Sequence, residues 1–203
     1  MQTTKDYIRK LLLETAQKAF FEKGFKSVSM REISKLSGIG LSNIYNYFSC
    51  KDDIFVQIVT PAVRTFENML DEHHGRRGTD IMAMCDRDYF KYMVAEYTSF
   101  IHRHRDLLLL LLFRSQGSSL ENYKEEFARK STALVKEYFT LMKHKHPQLE
   151  TDISDFSIRM HTVWMFALFE ELLMRRVKPD DIEKVVTEYM TIEVAGWREL
   201  MKI

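Results

Sequence analysis

Cysteine, glycine and proline are scarce in this chain, and no segment has the alternating pattern of a β-strand. The 203 residues include two Cys, seven Gly and three Pro. Two cysteines, Cys50 and Cys85, are too few for a disulfide scaffold and fit a reducing compartment. With few breaks and no strand pattern, the sequence predicts an all-α fold. Cys50 lies where a helix start would stabilise a thiolate, but an inert surface thiol is the more ordinary interpretation.

Long apolar runs are also lacking, which argues against a secreted or membrane-spanning chain. Glu14 and Lys18 interrupt the first apolar stretch, so we expect no signal peptide. The six leucines at 107–112, followed by Phe113, are too few to cross a bilayer and predict a buried helix segment. We therefore expect a cytoplasmic protein.

Motifs for catalysis and for metal binding are missing as well. The sequence has no Cys-x-x-Cys, no His-Glu-x-x-His, no phosphate-binding glycine loop and no nucleophile elbow. Three close histidine pairs occur, at 73 and 74, at 102 and 104, and at 144 and 146. Residues two apart do not share a helix face, and the pairs lie near predicted helix ends among basic residues. We expect no enzyme activity, no metal ion and no cofactor.

The charge is unevenly distributed, although the net charge is only +1. Residues 1–51 hold nine Lys or Arg against four acidic residues, and the remainder holds 21 against 25. A basic head on an acidic body is typical of a protein that touches nucleic acid with one end only.

The segment Ser29–Ile54 is the most informative part of the chain. Ser29 followed by Glu32 is a capping-box pattern that predicts a helix start. Met30, Ile33 and Leu36 then give that helix one apolar side. Gly38 is free to adopt positive φ, so we expect a sharp turn there.

A second short helix is predicted after the turn. Its apolar side is formed by Leu41, Ile44 and Phe48. The residues left facing outward are Ser42, Asn43, Tyr45 and Asn46. These side chains carry short polar donors and acceptors, which suit base edges and phosphates. The segment therefore predicts a helix-turn-helix that places one helix in a DNA groove.

Lys51 lies in the first turn of the next helix, which Ser49 is expected to cap. A cation is mildly unfavourable at a helix N-terminus, whereas Asp52 and Asp53 are favourable there. A phosphate near this helix start would explain the lysine, since the charge and the free N–H groups would both face it. The alternative is a solvated surface lysine.

Residues 8–55 resemble the DNA-binding region of the tetracycline-repressor (TetR) family of bacterial transcription regulators. The resemblance is specific at residues 38–54, GIGLSNIYNYFSCKDDI, where the glycine, both tyrosines, the phenylalanine and the lysine fall in register. The chain departs from the family pattern at Gly40, where a serine cap is frequent, and at Leu41, where a polar residue is frequent. The resemblance implies that Tyr45, Tyr47 and Lys51 hold phosphates. It also implies that Arg31, Ser42, Asn43 and Asn46 lie nearest the bases.

After this segment the chain is expected to remain helical, and we assign residues 1–51 to a DNA-binding domain and 52–203 to a helical effector-binding and dimerisation domain. Helices are predicted at about 54–74, 86–102, 105–116, 120–146, 152–176 and 180–201, with a linker at 74–78.

The last two predicted helices are broadly apolar. Residues 164–169, WMFALF, are apolar on every side of a helix, and such a helix must be covered all round. The final helix adds Val185, Val186, Tyr189, Met190, Ile192 and Trp197. Two helices from each of two chains would form a four-helix homodimer interface. The alternative is that both helices are internal to a monomer.

Phe, Tyr and Met residues are frequent in the middle helices, and similar proteins keep a small-molecule pocket in this region. Aromatic and Met side chains can line such a cavity. The candidate pocket residues are Phe66, Met93, Tyr97, Phe100, Phe113, His161 and Met165. The alternative for each is an ordinary place in the core.

These patterns predict a sequence-specific, DNA-binding transcriptional regulator. We expect a homodimeric repressor that a small-molecule effector releases from a palindromic operator. Two alternatives remain open: a DNA-bound structural or adaptor protein of the same fold without a small ligand, and a helical binding protein that does not contact DNA.

Overall fold

The computed structural model describes residues 4–75, 78–84 and 86–203, and every regular element among these residues is helical. The α-helices are α1 (Thr4–Lys23), α2 (Met30–Ser37), α3 (Leu41–Ile44), α4 (Lys51–His74), α5 (Ile81–Met84), α6 (Arg87–Phe113), α7 (Tyr123–Lys145), α8 (Asp155–Met174) and α9 (Pro179–Met201). A 3₁₀ turn, Phe25–Ser27, follows α1. The predicted all-α class is confirmed. Cys85 and part of the predicted 74–78 linker lie outside the described residues.

The chain divides into two compact units. The first unit comprises residues 1–64 and 106–123, and the second comprises 65–105 and 124–203. Both α4 and α6 therefore contribute residues to each unit. The functional division at residues 51 and 52 stays a proposal, because packing units need not coincide with functional domains.

The core of the first unit is built on one side of α1. Leu12, Ala16 and Phe20 are spaced four residues apart along one side of the helix and are fully buried. The rings of Phe20, Phe25 and Phe55 contact one another. The centroid distances are 5.6 Å for Phe20 and Phe25, 5.5 Å for Phe20 and Phe55, and 5.2 Å for Phe25 and Phe55. Aromatic pairs at these separations add to the stability gained from burial. This cluster joins α1, the 3₁₀ turn and α4.

The second unit has two groups of buried side chains. Phe66 contacts the rings of Phe100, Phe127, Phe166 and Phe169 at centroid distances of 4.7–5.5 Å. The other group comprises Ile81, Val135, Tyr138, Phe139, Leu149, Ile158 and Met201. These side chains come from helices far apart in sequence, so the unit depends on long-range packing.

Helix α6 continues through a region where the sequence predicts two helices. The only sign of the predicted interruption is His104, whose φ of −116° and ψ of 18° are non-helical. The expected break at residues 103–104 is therefore a kink within one helix. No glycine or proline lies nearby to end the helix, and the hydrogen-bonded turns on both sides keep it continuous. The Oγ1 atom of Thr65 lies 3.3 Å from Nε2 of His104.

No helix among the described residues is both long enough and apolar enough to cross a membrane.

Candidate nucleic-acid interface and ligand cavity

The start of α2 is capped as the sequence predicts, and an ion pair adds to the cap. The Oγ atom of Ser29 accepts the backbone N–H of Glu32 at 3.2 Å. The Glu32 carboxylate is paired with the ammonium of Lys23 and also accepts from the backbone N–H of Ser29, and both contacts lower its pKa. This ion pair therefore joins the end of α1 to the start of α2.

Gly38 makes the turn between α2 and α3. Its φ of 70° and ψ of 7° lie in the left-handed region, which glycine adopts without strain. Two serines of α2 also hold the turn: Ser34 Oγ donates to the carbonyl of Ile39 at 2.7 Å, and Ser37 Oγ accepts its N–H at 3.3 Å. The sequence interpretation missed these serines, although Ser and Thr commonly bond to nearby backbone.

Helix α3 is shorter than predicted, and the chain completes it as a tighter turn. Regular α-helix ends at Ile44, after which Asn46 N–H donates to Asn43 O at 3.1 Å and Tyr47 N–H to Ile44 O at 2.9 Å. These i to i−3 bonds are of the 3₁₀ type, which is common at helix termini. Ile44 and Phe48 remain buried, so the predicted inward side is preserved.

Most of the predicted DNA-facing side chains are accessible. Arg31, Ser42, Tyr45 and Asn46 are exposed, whereas Asn43 and Tyr47 are half-buried. The side-chain amide of Asn46 donates to Oδ1 of Asn43 at 3.2 Å, which holds these two residues together. The first unit thus presents a short polar surface, and its contact with DNA stays a prediction.

Lys51 is engaged within the protein. Its ammonium donates to the carbonyls of Phe25 and Val28, each at 2.7 Å. It also lies 4.0 Å from the centroid of the Phe25 ring. Burial lowers the pKa of the Lys51 ammonium below its ordinary value. Lys51 therefore closes the 3₁₀ turn after α1. A phosphate contact from Lys51 remains a prediction, and it would use the third N–H of the ammonium.

The start of α4 is held by its own aspartates. Asp53 accepts the backbone N–H and the hydroxyl of Ser49, at 3.0 and 3.2 Å. Asp52 accepts the backbone N–H of Ser119 at 2.8 Å, and Phe25 N–H donates to the carbonyl of Arg114 at 2.9 Å. The segment after α6 is thereby tied to the turn after α1 and to the start of α4. Sequence reasoning found no sign of these long-range bonds.

The second unit contains a partly open cavity of about 120 Å³, with a smaller cavity of about 50 Å³ that shares several lining residues. Five predicted pocket residues line one or both: Phe66, Met93, Tyr97, His161 and Met165. Phe100 lines neither and is buried in the aromatic core. Phe113 also lines neither; it belongs to the first unit and is 37% exposed.

The wall of the larger cavity carries a buried carboxylate. Glu193 is 7% exposed, and its Oε2 accepts Trp197 Nε1–H at 3.1 Å. The Nδ1 atom of His161 contacts the same oxygen. Sequence reasoning singled out His161 but missed Glu193, although an acidic residue on the otherwise apolar side of α9 was the available signal.

Two adjacent histidines also line the cavity. His73 is held by Tyr89 and by Glu96, whose Oε2 lies 2.6 Å from its Nε2. The Nδ1 atom of His74 is buried without a hydrogen-bond partner among the described residues. Burial lowers the pKa of His74 to about 3, so its ring is neutral. Within the described part of the chain, no three His, Cys, Asp or Glu residues are arranged to hold a metal ion.

Comparisons with known proteins support the DNA-binding interpretation. Residues 12–58 match the model of the family described as bacterial regulatory proteins, tetR family. An uncharacterised HTH-type transcriptional regulator of Bacillus subtilis, YhgD, is 34% identical over 64 residues, which are 32% of this chain and 34% of that protein. The chain thus matches only about a third of the length of that curated relative.

Solved structures extend the similarity of fold to nearly the whole chain. The fatty acid degradation regulator FadR from Bacillus halodurans superposes with a TM-score of 0.65 at 16% identity, covering 98% of both chains. FadR from Bacillus subtilis, in complex with stearoyl-CoA, has a TM-score of 0.63 at 14% identity, covering 92% of this chain and 98% of that one. Residues 12–58 thus match the tetR family of bacterial regulatory proteins in sequence, and the helical fold of nearly the whole chain is similar to that of these solved regulators.

Proposed function

We propose that this protein is a sequence-specific, DNA-binding transcriptional regulator that acts in the bacterial cytoplasm, without catalytic activity. The observation that carries the proposal is the tetR-family match over residues 12–58, which spans the helix-turn-helix and its exposed polar surface. Arg31, Ser42, Asn43 and Asn46 are proposed to contact bases, and Tyr45, Tyr47 and Lys51 to contact phosphates. Base contacts specify the site, while phosphate contacts set affinity and orientation.

The experiment that tests this proposal is selection of genomic fragments by the purified protein at moderate salt. The expected result is a short palindrome whose affinity falls steeply as salt rises, because phosphate contacts release counterions. Recovery of fragments without a common sequence would favour the structural or adaptor alternative. A bound small molecule can be removed by gentle denaturation and refolding of the protein. If the protein binds no DNA either before or after this treatment, the DNA-binding assignment is contradicted.

We propose that the protein acts as a homodimer through α8 and α9. Along α8, Phe156, Met160, Val163 and Trp164 follow one another at helical spacing and are all exposed, with Phe156 at 71%. Apolar side chains on one face of a helix call for a covering surface. A two-fold dimer would place two recognition helices roughly 34–36 Å apart, the spacing of a palindromic site.

We further propose that the protein is a repressor that a small-molecule effector releases from DNA. The cavity in the second unit favours this mechanism over the adaptor alternative, which predicts a filled core. Helix α6 supplies Met93 and Tyr97 to the cavity wall and continues into the first unit, where the segment that follows bonds to Phe25 and Asp52. An effector that prefers one conformation of α6 would weaken operator binding by its differential affinity for the two states.

A further inference from the structure

We propose that the cavity in the second unit takes a small amphipathic amine, with an apolar body and one protonated nitrogen that pairs with Glu193. This inference rests on the proposed role of the cavity as an effector site and adds the chemical class of the effector. Three features of the cavity wall carry it: a buried carboxylate, a buried ring nitrogen without a partner among the described residues, and a set of aromatic rings.

The first feature is the charge of Glu193. Its Oε2 contacts the indole N–H of Trp197 and Nδ1 of His161, and the hydroxyl of Tyr189 lies within hydrogen-bonding reach of the same carboxylate. The indole is neutral, and His161 balances the charge of the carboxylate only when its ring is protonated. A buried carboxylate without a full counter-charge is costly, and the cost falls when a cation binds beside it.

The second feature is the hydrogen-bonding capacity left over. The neutral ring of His74 has one nitrogen that accepts, and its buried Nδ1 has no partner among the described residues. The hydroxyl of Tyr97 donates to the sulfur of Met165, a weak acceptor, at 3.6 Å, and its oxygen can itself accept a hydrogen bond. An ammonium is a donor with no acceptor atom, so it can pair with Glu193 and with the accepting atoms of His74 and Tyr97.

The third feature is the lining around these groups. Tyr97, Tyr138, Phe139 and Trp197 present aromatic side chains to the cavity, and most of the remaining wall is Met, Ile and Val. Aromatic faces attract cations, most strongly where water is excluded. The apolar remainder suits a hydrocarbon body.

An acidic ligand fits this wall poorly. Its charge would approach Glu193, and no lysine is among the described lining residues; the arginine there, Arg198, is exposed. The larger cavity, at about 120 Å³, is also far below the size of pockets for drug-sized ligands, roughly 300–1,000 Å³. The ligand is therefore small, and a long acyl thioester is not expected.

A charge series on one carbon skeleton tests the proposal. We would titrate the full-length protein calorimetrically with 2-phenylethylamine, 2-phenylethanol and phenylacetate, and with stearoyl-CoA as a large acidic probe. The amine is expected to bind at least about tenfold more tightly than the alcohol, which corresponds to one buried ion pair. Phenylacetate is expected to bind more weakly than both. Equal binding of amine and alcohol, tighter binding of either acidic probe, or no binding of the amine would overturn the proposal.

Variants of α9 locate the effect. Glu193→Gln keeps the size of the side chain and removes its charge, so amine affinity should fall about tenfold while alcohol affinity changes less than about twofold. Glu188→Gln, at an exposed position of the same helix, is the matched control and should change neither. An equal loss for amine and alcohol in Glu193→Gln would show that only packing was disturbed, and the pairing with Glu193 would be wrong. The wild-type charge series remains decisive if this variant does not fold.

Operator binding, measured together with these titrations, distinguishes the proposed regulatory function from the proposed ligand class. Amine binding that leaves DNA affinity unchanged would retain the ligand class and contradict the effector role. Specific DNA binding by a protein that binds no amine would retain the regulator and contradict the ligand class.

Discussion

Lys51 has a structural contact that its position in the motif does not reveal. Sequence reasoning predicts a phosphate ligand there, whereas the folded chain directs the ammonium to two backbone carbonyls 23 and 26 residues away. The local sequence pattern indicates which residue types lie near the start of a helix. It cannot reveal that the turn after α1 leaves two carbonyls within reach, because that depends on how α1 packs against α4.

Replacing Lys51 with Met should destabilise the protein by about 2 kcal/mol, since two carbonyls would lose a charged donor. Urea unfolding would measure the loss. Lys35→Met, at an exposed site on α2, is the control and should change stability by less than about 0.5 kcal/mol. If Lys51→Met kept full stability and lost only DNA affinity, the structural role would be wrong.

Asp80 gives the second unit an acid-sensitive contact. Burial alone would raise the pKa of this carboxyl, but hydrogen bonds from Lys145, His146 and the backbone N–H of Met82 together lower it to about 2. A depressed pKa stabilises the fold above the unfolded value of 3.8, and this stability is lost as pH falls from about 4 towards 2. We expect Asp80→Asn to be less stable than wild type at pH 6, with the difference shrinking below pH 4, as thermal unfolding would measure.

The exposed Asp88 supplies the control for that measurement. Among the described residues its carboxylate pairs with Lys91 on the surface of α6, so Asp88→Asn should follow the wild-type pH profile. An Asp80→Asn profile parallel to wild type at all pH values would contradict the assignment.

Among the helices, those with local signals were predictable. The cap of α2, the turn at Gly38 and the start of α9 at Pro179 follow from side chains within four residues of each boundary. The kink at His104 and the bonds from the 114–119 segment were not predictable, because their partners are set by tertiary packing. The short helix α5 was missed for the same reason, since its apolar residue Ile81 is buried only by distant helices.

Gly38 and Gly40 offer a matched test of the turn between α2 and α3. Neither would place a new Cβ within 4 Å of another atom, but only Gly38 has positive φ. Gly38→Ala should therefore cost roughly 1–2 kcal/mol from backbone strain alone. Gly40→Ser, at the N-cap of α3, should be neutral or slightly stabilising in the same unfolding experiment. Equal effects would mean that backbone conformation does not determine this turn.

For the whole molecule, composition and motif predicted the fold class and the tetR-family match over residues 12–58, while the cavity was only partly predicted. Aromatic and Met residues were expected to line it, and Tyr97 and His161 do. Glu193 was missed, because it becomes notable only when α8 brings His161 beside it. The sequence of an apolar helix also does not show which side of the helix faces a second chain. Trp197 was predicted to lie in the dimer interface, and it lines the cavity.

The proposed dimer depends on the exposed apolar face of α8. Phe156→Glu should convert a dimer to a monomer at micromolar concentration, because a buried, unpaired charge opposes association. Sedimentation velocity would measure the change. Gln148→Glu adds the same charge at an exposed loop position and should leave the dimer intact. A wild-type monomer, or a variant that dimerises as well as wild type, would contradict the interface.

The central claim, sequence-specific binding of DNA through the surface of α2 and α3, is tested most directly by fluorescence anisotropy with the selected site and a scrambled site of equal length. We predict that the wild type prefers the selected site by at least about 10³-fold at physiological salt. Asn43→Ala should lose much of that preference while retaining its affinity for the scrambled site. Equal affinity of the wild type for both DNAs, or an unchanged preference in variants of every proposed base-contacting residue, would contradict the account.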